Sequence, residues 1–193
     1  DILLFEHLEM LVNTDSVSIK GSLSGLWGFL LSDVRGLKLD ADIEAPHIHW
    51  DNWIGRAKSS DGEEPSALPE QVSIDLSFAL GAFTYGMFKA EDLKGFLNSN
   101  GRTLELNPMS MKSCNGALTA ELKMTQLNDL SWELDTKGDL RGMEVTEIFR
   151  QFDQFGQDFI TDEHIKGNGD ARISFSANLS TYMEVDSKSI LAD

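Results

Sequence analysis

A two-residue hydrophobic period recurs along this chain and leaves little room for anything but β-sheet. Leu37, Leu39, Ala41 and Ile43 alternate with Lys38, Asp40, Asp42 and Glu44. The same alternation runs through Val72, Ile74, Leu76, Phe78 and Leu80, through Leu118, Ala120, Leu122 and Met124 after an Asn115-Gly116 turn signal, and through Ala171, Ile173, Phe175, Ala177 and Leu179. Successive strand residues point to opposite faces, so each run is a strand with one apolar and one wet face. Shorter runs around Leu8–Val12, Val17–Leu23, Leu104–Leu106 and Trp132–Leu134 add further strands, bringing the expectation to roughly ten. Trp27, Phe29, Leu30 and Leu31 read as a buried bend or short strand. Pro46 reads as a break or bend, Gly81 as the turn into Phe83, Tyr85 and Met87, and Pro108 as the end of the Leu104 strand.

One segment has a different period. Val145, Ile148, Phe149, Phe152, Phe155 and Phe159 recur at spacings of three and four with polar residues between them, which predicts an amphipathic helix over about 144–157. The expected fold is therefore mainly β (α+β): a twisted antiparallel multi-stranded sheet, groove- or half-barrel-like, with one or two short amphipathic helices. Gly55 to Glu70 carries two of the four prolines and a cluster of Ser, Asp, Gly and Glu. It divides the chain into an N-terminal β unit (1–54) ending in a short helix, a linker or mobile loop (55–70), and a C-terminal β unit (71–193). One continuous domain is the other reading. Lys38–Ile54 lies without a gap on Glu133–Phe149: Leu39-Asp40 falls on Leu134-Asp135, Ile48 on Met143, Trp50 on Val145, and Trp53-Ile54 on Ile148-Phe149. If this is a repeat, each half is a set of strands crossing into a helix start.

Charge and motif searches remove most function classes. A net charge of −16 repels nucleic-acid phosphates and anionic membrane surfaces. A single cysteine, Cys114, excludes an intrachain disulfide. No signal peptide or membrane-spanning run is present, and the chain begins without methionine, so a piece of a longer protein is expected. His47 and His49 share a strand face as a zinc pair can, but no third ligand lies near them in sequence. Phosphate-cradling glycine loops and serine elbows are absent, and Cys114 has no neighbouring base. Glu63 with Glu64, and Glu144 with Glu147, fit solubility and a helix start. The expectation is a non-enzyme without metal or cofactor. What stands out is surplus apolar surface: Phe78, Phe83, Tyr85, Met87, Leu122, Met124, Trp132, Phe149 and Phe152 are the candidate lipid-binding residues, with Met109 and Met111 beside them. Either a second sheet covers this surface or part of it forms a groove for an apolar ligand.

The order of glycine-punctuated strands (Ser18–Gly28, SIKGSLSGLWG), a strand running into MEVTEIFRQF, and the glycine-led strand IKGNGDARISFSANL resembles the C-terminal region of AsmA-like proteins of Gram-negative bacteria, closest in flavour to those of Bacteroidetes. The resemblance spans about Leu8 to Leu179. It implies a β-rich periplasmic body held at the inner membrane by an N-terminal helix that this sequence lacks. It also implies a part in outer-membrane biogenesis or lipid homeostasis, with hydrophobic β-grooves that carry phospholipid. The resemblance brings no catalytic residues. The implied partners are lipid or another apolar ligand, the inner membrane and other envelope proteins. The alternatives are a structural or protein-interaction scaffold that recruits envelope partners through its sheet edges, and a hydrolase built on Cys114 or His47/His49.

Overall fold

The computed structural model describes residues 1–31, 36–57, 66–182, 186, 189, 191 and 192. Half of the linker expected at 55–70, residues 58–65, lies outside the described residues. The strands follow one another in space as they do in sequence. They are β1 (Ile2–Val12), β2 (Asp15–Ser24), β3 (Leu37–His49), β4 (Val72–Tyr85), β5 (Phe88–Asn100), β6 (Thr103–Ser113), β7 (Gly116–Gln126), β8 (Trp132–Glu144), β9 (Asn168–Leu179) and the two-residue β10 (Leu191–Ala192). The chain is mainly β, as the alternation predicts: one sheet carries it from end to end and is not closed into a barrel. The sheet also runs unbroken across the border between the two expected units, through the β3–β4 pair.

That pair is parallel, and every other pair is antiparallel. After β3 the chain enters helix α2 (Trp50–Ala57) at one end of the sheet. It is described again from Ser66 at the other end, where the Gln126 side chain accepts the Leu68 N–H and donates to the Ser66 carbonyl. β8 likewise runs directly into helix α3 (Val145–Gln151). β3 and β8 are both 13 residues long and both end where a helix begins, which is the structural counterpart of the Lys38–Ile54 and Glu133–Phe149 pattern match.

Several local expectations are corrected. Trp27–Leu31 is neither a strand nor buried: Leu26–Leu30 is a helical turn, α1, opened by Gly25 at φ 80 and by the Trp27 N–H donating to the Asp1 carboxylate at 2.7 Å. β4 passes straight through Gly81, and the reversal comes at Gly86-Met87. Pro46 lies within β3, and its carbonyl is 2.7 Å from where a Cβ on residue 81 would sit, so Gly81 is the residue that lets β3 and β4 pass here. β6 continues through Pro108 by way of a bulge and a cis Asn107-Pro108 bond. β5 has no counterpart in the alternation pattern. Asp92 (φ 51) makes a bulge that puts Ala90 and Leu93 on one face although they are three residues apart. The helix expected over 144–157 stops at Gln151. Asp153, Gln154 and Phe155 all have φ near 50°, and the Gln154 amide is tied to Asp162 in both directions, which turns the chain back instead of prolonging the helix.

With the bulges in place, the register aligns the apolar residues into rows across the sheet. Leu8, Ile19, Ile43, Phe78, Gly95, Met109, Ala120, Gly138 and Ile173 are successive partners from β1 to β9. The opposite face carries cross-strand pairs such as Lys38–Asp75, Lys123–Glu105 and Arg172–Asp139. Each lies at the surface, with Asp75 half-buried, and contributes little to stability. Among the described residues no second sheet packs on the apolar rows; the closest element contacts across the sheet surface come from the three helices. The chain exposes 12690 Å², whereas a compact monomer of 21.4 kDa exposes about 9,000 Å². A single layer accounts for the excess.

Candidate functional site

The apolar face divides into an open part and a covered end. Phe78, Leu122 and Met124 lie on adjacent rows of the open part and are all half-buried. Phe78 lies flat on the next strand, where a Cβ on residue 95 would come within 2.4 Å of its ring. Gly95 is thus the clearance for the aromatic ring. Gly95→Val is expected to displace Phe78 and destabilise the sheet by about 1–3 kcal/mol, read as a lower urea midpoint. An unchanged midpoint would mean that the ring has another place to go.

Phe83, Tyr85, Met87, Phe149 and Phe152 gather instead at the end where α2 and α3 lie. Rings from four elements follow one another there. Trp50 is 6.2 Å from Phe83, Phe83 is 6.4 Å from Phe88, Phe88 is 5.8 Å from Phe152, and Phe152 stacks on Phe155 at 5.8 Å. Phe149 meets Phe155 edge-on at 5.1 Å. Met87 sits in the β4–β5 turn, not on a strand face. Trp132 stands apart from both groups. It is 5% exposed, beside Gln126 and Leu179 at the opposite end, and works as core packing. Phe88 is the member of the ring chain that the sequence reading does not mark. Trp50 and Phe155 enter that reading as part of the repeat and of the helix stripe, not as ligand-binding residues, because only the fold brings α2, β5 and the end of α3 together.

The covered end is fixed by one buried carboxylate. Asp15, at the start of β2, is 1% exposed. It accepts the His49 backbone N–H at 2.9 Å, the His49 ring Nδ1–H at 2.6 Å and the Trp53 indole N–H at 3.0 Å. Burial alone raises the Asp15 pKa, but these donors outweigh it and hold the carboxyl below its ordinary range. The charge also sits at the N-terminus of α2, where the helix dipole favours it. Trp53 is thereby pressed onto the cluster of Val17, Ala45, Ile48, Leu80 and Phe83.

His47 and His49 do share a face, with rings stacked 3.8 Å apart, but His49 is committed to Asp15 and His47 contacts the Thr84 hydroxyl at 3.5 Å. Among the described residues no group of three His, Cys, Asp or Glu side chains is placed to hold a metal. Cys114 is buried beside Ser113. Burial pushes its thiol up, Glu147 and Glu144 add to the rise, and the Ser113 contact opposes it in part. A thiol held protonated in this way is a poor nucleophile. Crevices of about 430 and 450 Å³ lie between charged side chains such as Glu105, Lys123, Asp135 and Lys137 in one, which Leu122 and Phe175 also line, and Glu44, Asp92 and Lys94 in the other. No helix among the described residues is long and apolar enough to cross a membrane. No family model, curated protein or solved structure matches this chain.

Proposed function

We infer that this chain is a non-enzymatic, periplasmic AsmA-like domain that binds or conducts lipid acyl chains along the apolar face of its sheet, in the service of outer-membrane biogenesis or lipid homeostasis. The observation that carries the reading is the apolar row that runs from Leu8 in β1 to Ile173 in β9 with largely apolar rows beside it, over which the described residues place only short helices at the ends. An acyl chain lying along such rows gains about 0.8 kcal/mol for each methylene taken from water. Among the described residues the central rows carry two small hydroxyl side chains, Ser99 and Thr136, and no charged one, which suits a surface that slides chains along rather than one that recognises a headgroup. Anchoring at the inner membrane belongs to this proposal through the AsmA-like resemblance alone.

The test is native mass spectrometry of the purified domain, with lipid extraction of the same sample. Co-purifying phospholipid or fatty acid, reduced at least about tenfold by Phe78→Glu with Leu122→Glu, is the expected result. A clean apo mass together with no uptake from vesicles would reject the reading. Trp132 is a poor position for this substitution, because a charge there would unfold the sheet instead of blocking a ligand.

A second reading is favoured by β1. This edge strand exposes Ile2 (70%), Leu4 (72%) and Leu11 (73%), where β3 and β8 carry charges on the corresponding face. Such an edge suits strand addition by a protein partner. Leu4→Lys would then abolish partner capture while leaving lipid content unchanged.

A further inference from the structure

The ring chain at the α2–α3 end does more than seal the sheet, because its outer members stand in solvent. Tyr85 in β4, Phe152 at the end of α3, and Phe155 and Phe159 beyond it are 51%, 49%, 58% and 79% exposed, and Trp50 of α2 is 43% exposed. Three separate segments deliver them to one end. Phe83 and Phe88 join Trp50, Phe152 and Phe155 through ring contacts, and Phe83 also packs on the core of Val17, Ala45 and Ile48. Trp27, Leu30 and Leu31 are also exposed at the opposite end, but among the described residues no ring contact ties them to the sheet face.

We propose that the α2–α3 end seats on the surface of a zwitterionic phospholipid bilayer, with Trp50, Tyr85, Phe152, Phe155 and Phe159 entering the interface. Charge selects this occupant. Asp51, Asp153 and Asp158 lie among the rings, in a chain of net charge −16, so an anionic bilayer is repelled and so is the same end of a second copy. A neutral headgroup layer presents no such penalty, and Trp and Tyr are the side chains whose apolar body and polar tip suit it. The role proposed for this contact, a port through which acyl chains reach the sheet face, rests on the lipid reading above; the contact itself does not.

The experiment uses phosphatidylcholine vesicles containing brominated lipid, with tryptophan fluorescence and flotation as readouts. Quenching is expected, lost in Trp50→Phe and kept in Trp27→Phe. Flotation is expected to fall about tenfold in Phe155→Asp with Phe159→Asp, and to fall also when phosphatidylglycerol is mixed into the vesicles. Circular dichroism melting checks that the double variant remains folded, and Phe159→Asp alone, at the most exposed ring, provides a second variant for the same comparison. Quenching carried by Trp27, absence of flotation on phosphatidylcholine, or a dimer that dissociates in Phe159→Asp would each overturn the proposal. Absence of vesicle contact with acyl-chain binding intact overturns this proposal, contact and port together, and leaves the acyl-chain reading standing. Vesicle contact with no acyl chain bound leaves the bilayer contact and removes the conducting face.

Discussion

Asp15→Ala is expected to lower the unfolding free energy by about 3–5 kcal/mol, because three N–H donors at the centre of a packed corner lose their shared acceptor. A urea or thermal melt at neutral pH reads the loss directly. Asp15→Asn keeps the shape but turns an NH₂ group toward the same donors, so it should recover only part of the difference. The pH dependence has a definite sign. The folded carboxyl titrates below the ordinary aspartate value of 3.8, so its contribution is complete above that value. It disappears as the pH falls through the lower folded value. The gap between wild type and Asp15→Ala should therefore be constant near neutrality and close in acid. A gap that widened in acid would show that the carboxylate is not what holds β2, His49 and Trp53 together.

Gly116→Ala is expected to cost about 2–4 kcal/mol. A Cβ at this position would lie 2.6 Å from the Arg141 carbonyl oxygen and 2.7 Å from the Met143 nitrogen, both backbone atoms of the β8 bulge. No rotamer change relieves that contact, so either β7 or β8 must move. The Glu144 N–H donates to the Cys114 carbonyl at 2.7 Å immediately beside it, which couples the bulge to the start of α3. Hydrogen exchange should accordingly quicken in α3 as well as in the two strands. Unchanged exchange in α3 with a lowered midpoint would separate the helix from the bulge.

The alternating runs made most strands legible, since β3, β4, β7 and β9 keep their period over the residues first marked. β5 was hidden because the Asp92 bulge spaces Ala90, Leu93 and Leu97 by three and four, which imitates a helix more than a strand. Alternation also says nothing about the direction of a partner, so the parallel β3–β4 register could not be read from it. The aromatic stripe after Val145 predicted a longer helix than forms, because side-chain bonds between Gln154 and Asp162 reward a turn there. For the site, Phe78, Leu122 and Met124 lie on adjacent rows of one open face. Trp132 was misleading: a large ring on a strand reads alike whether it lines an open face or fills a core. Asp15 gave no signal at all, as its worth depends on donors more than thirty residues away.

The single parallel pair also bears on the order in which the chain assembles. From β4 to β8 each strand finds its partner across a tight reversal, so this meander can zip up from local contacts. β3 meets β4 only after the chain has passed through α2 and travelled back the length of a strand, and the entropy of closing that path is lost before any pairing rewards it. The meander is therefore expected to pair before the β1–β3 sheet joins it, at a seam that α2 and the Asp15 corner complete; pulse-labelled hydrogen exchange that protects β1–β3 as early as β5–β7 would refute this order. In that order the outer edge of β4 stays bare until the seam closes, and the time it spends so sets the chain's exposure to mispairing with its neighbours.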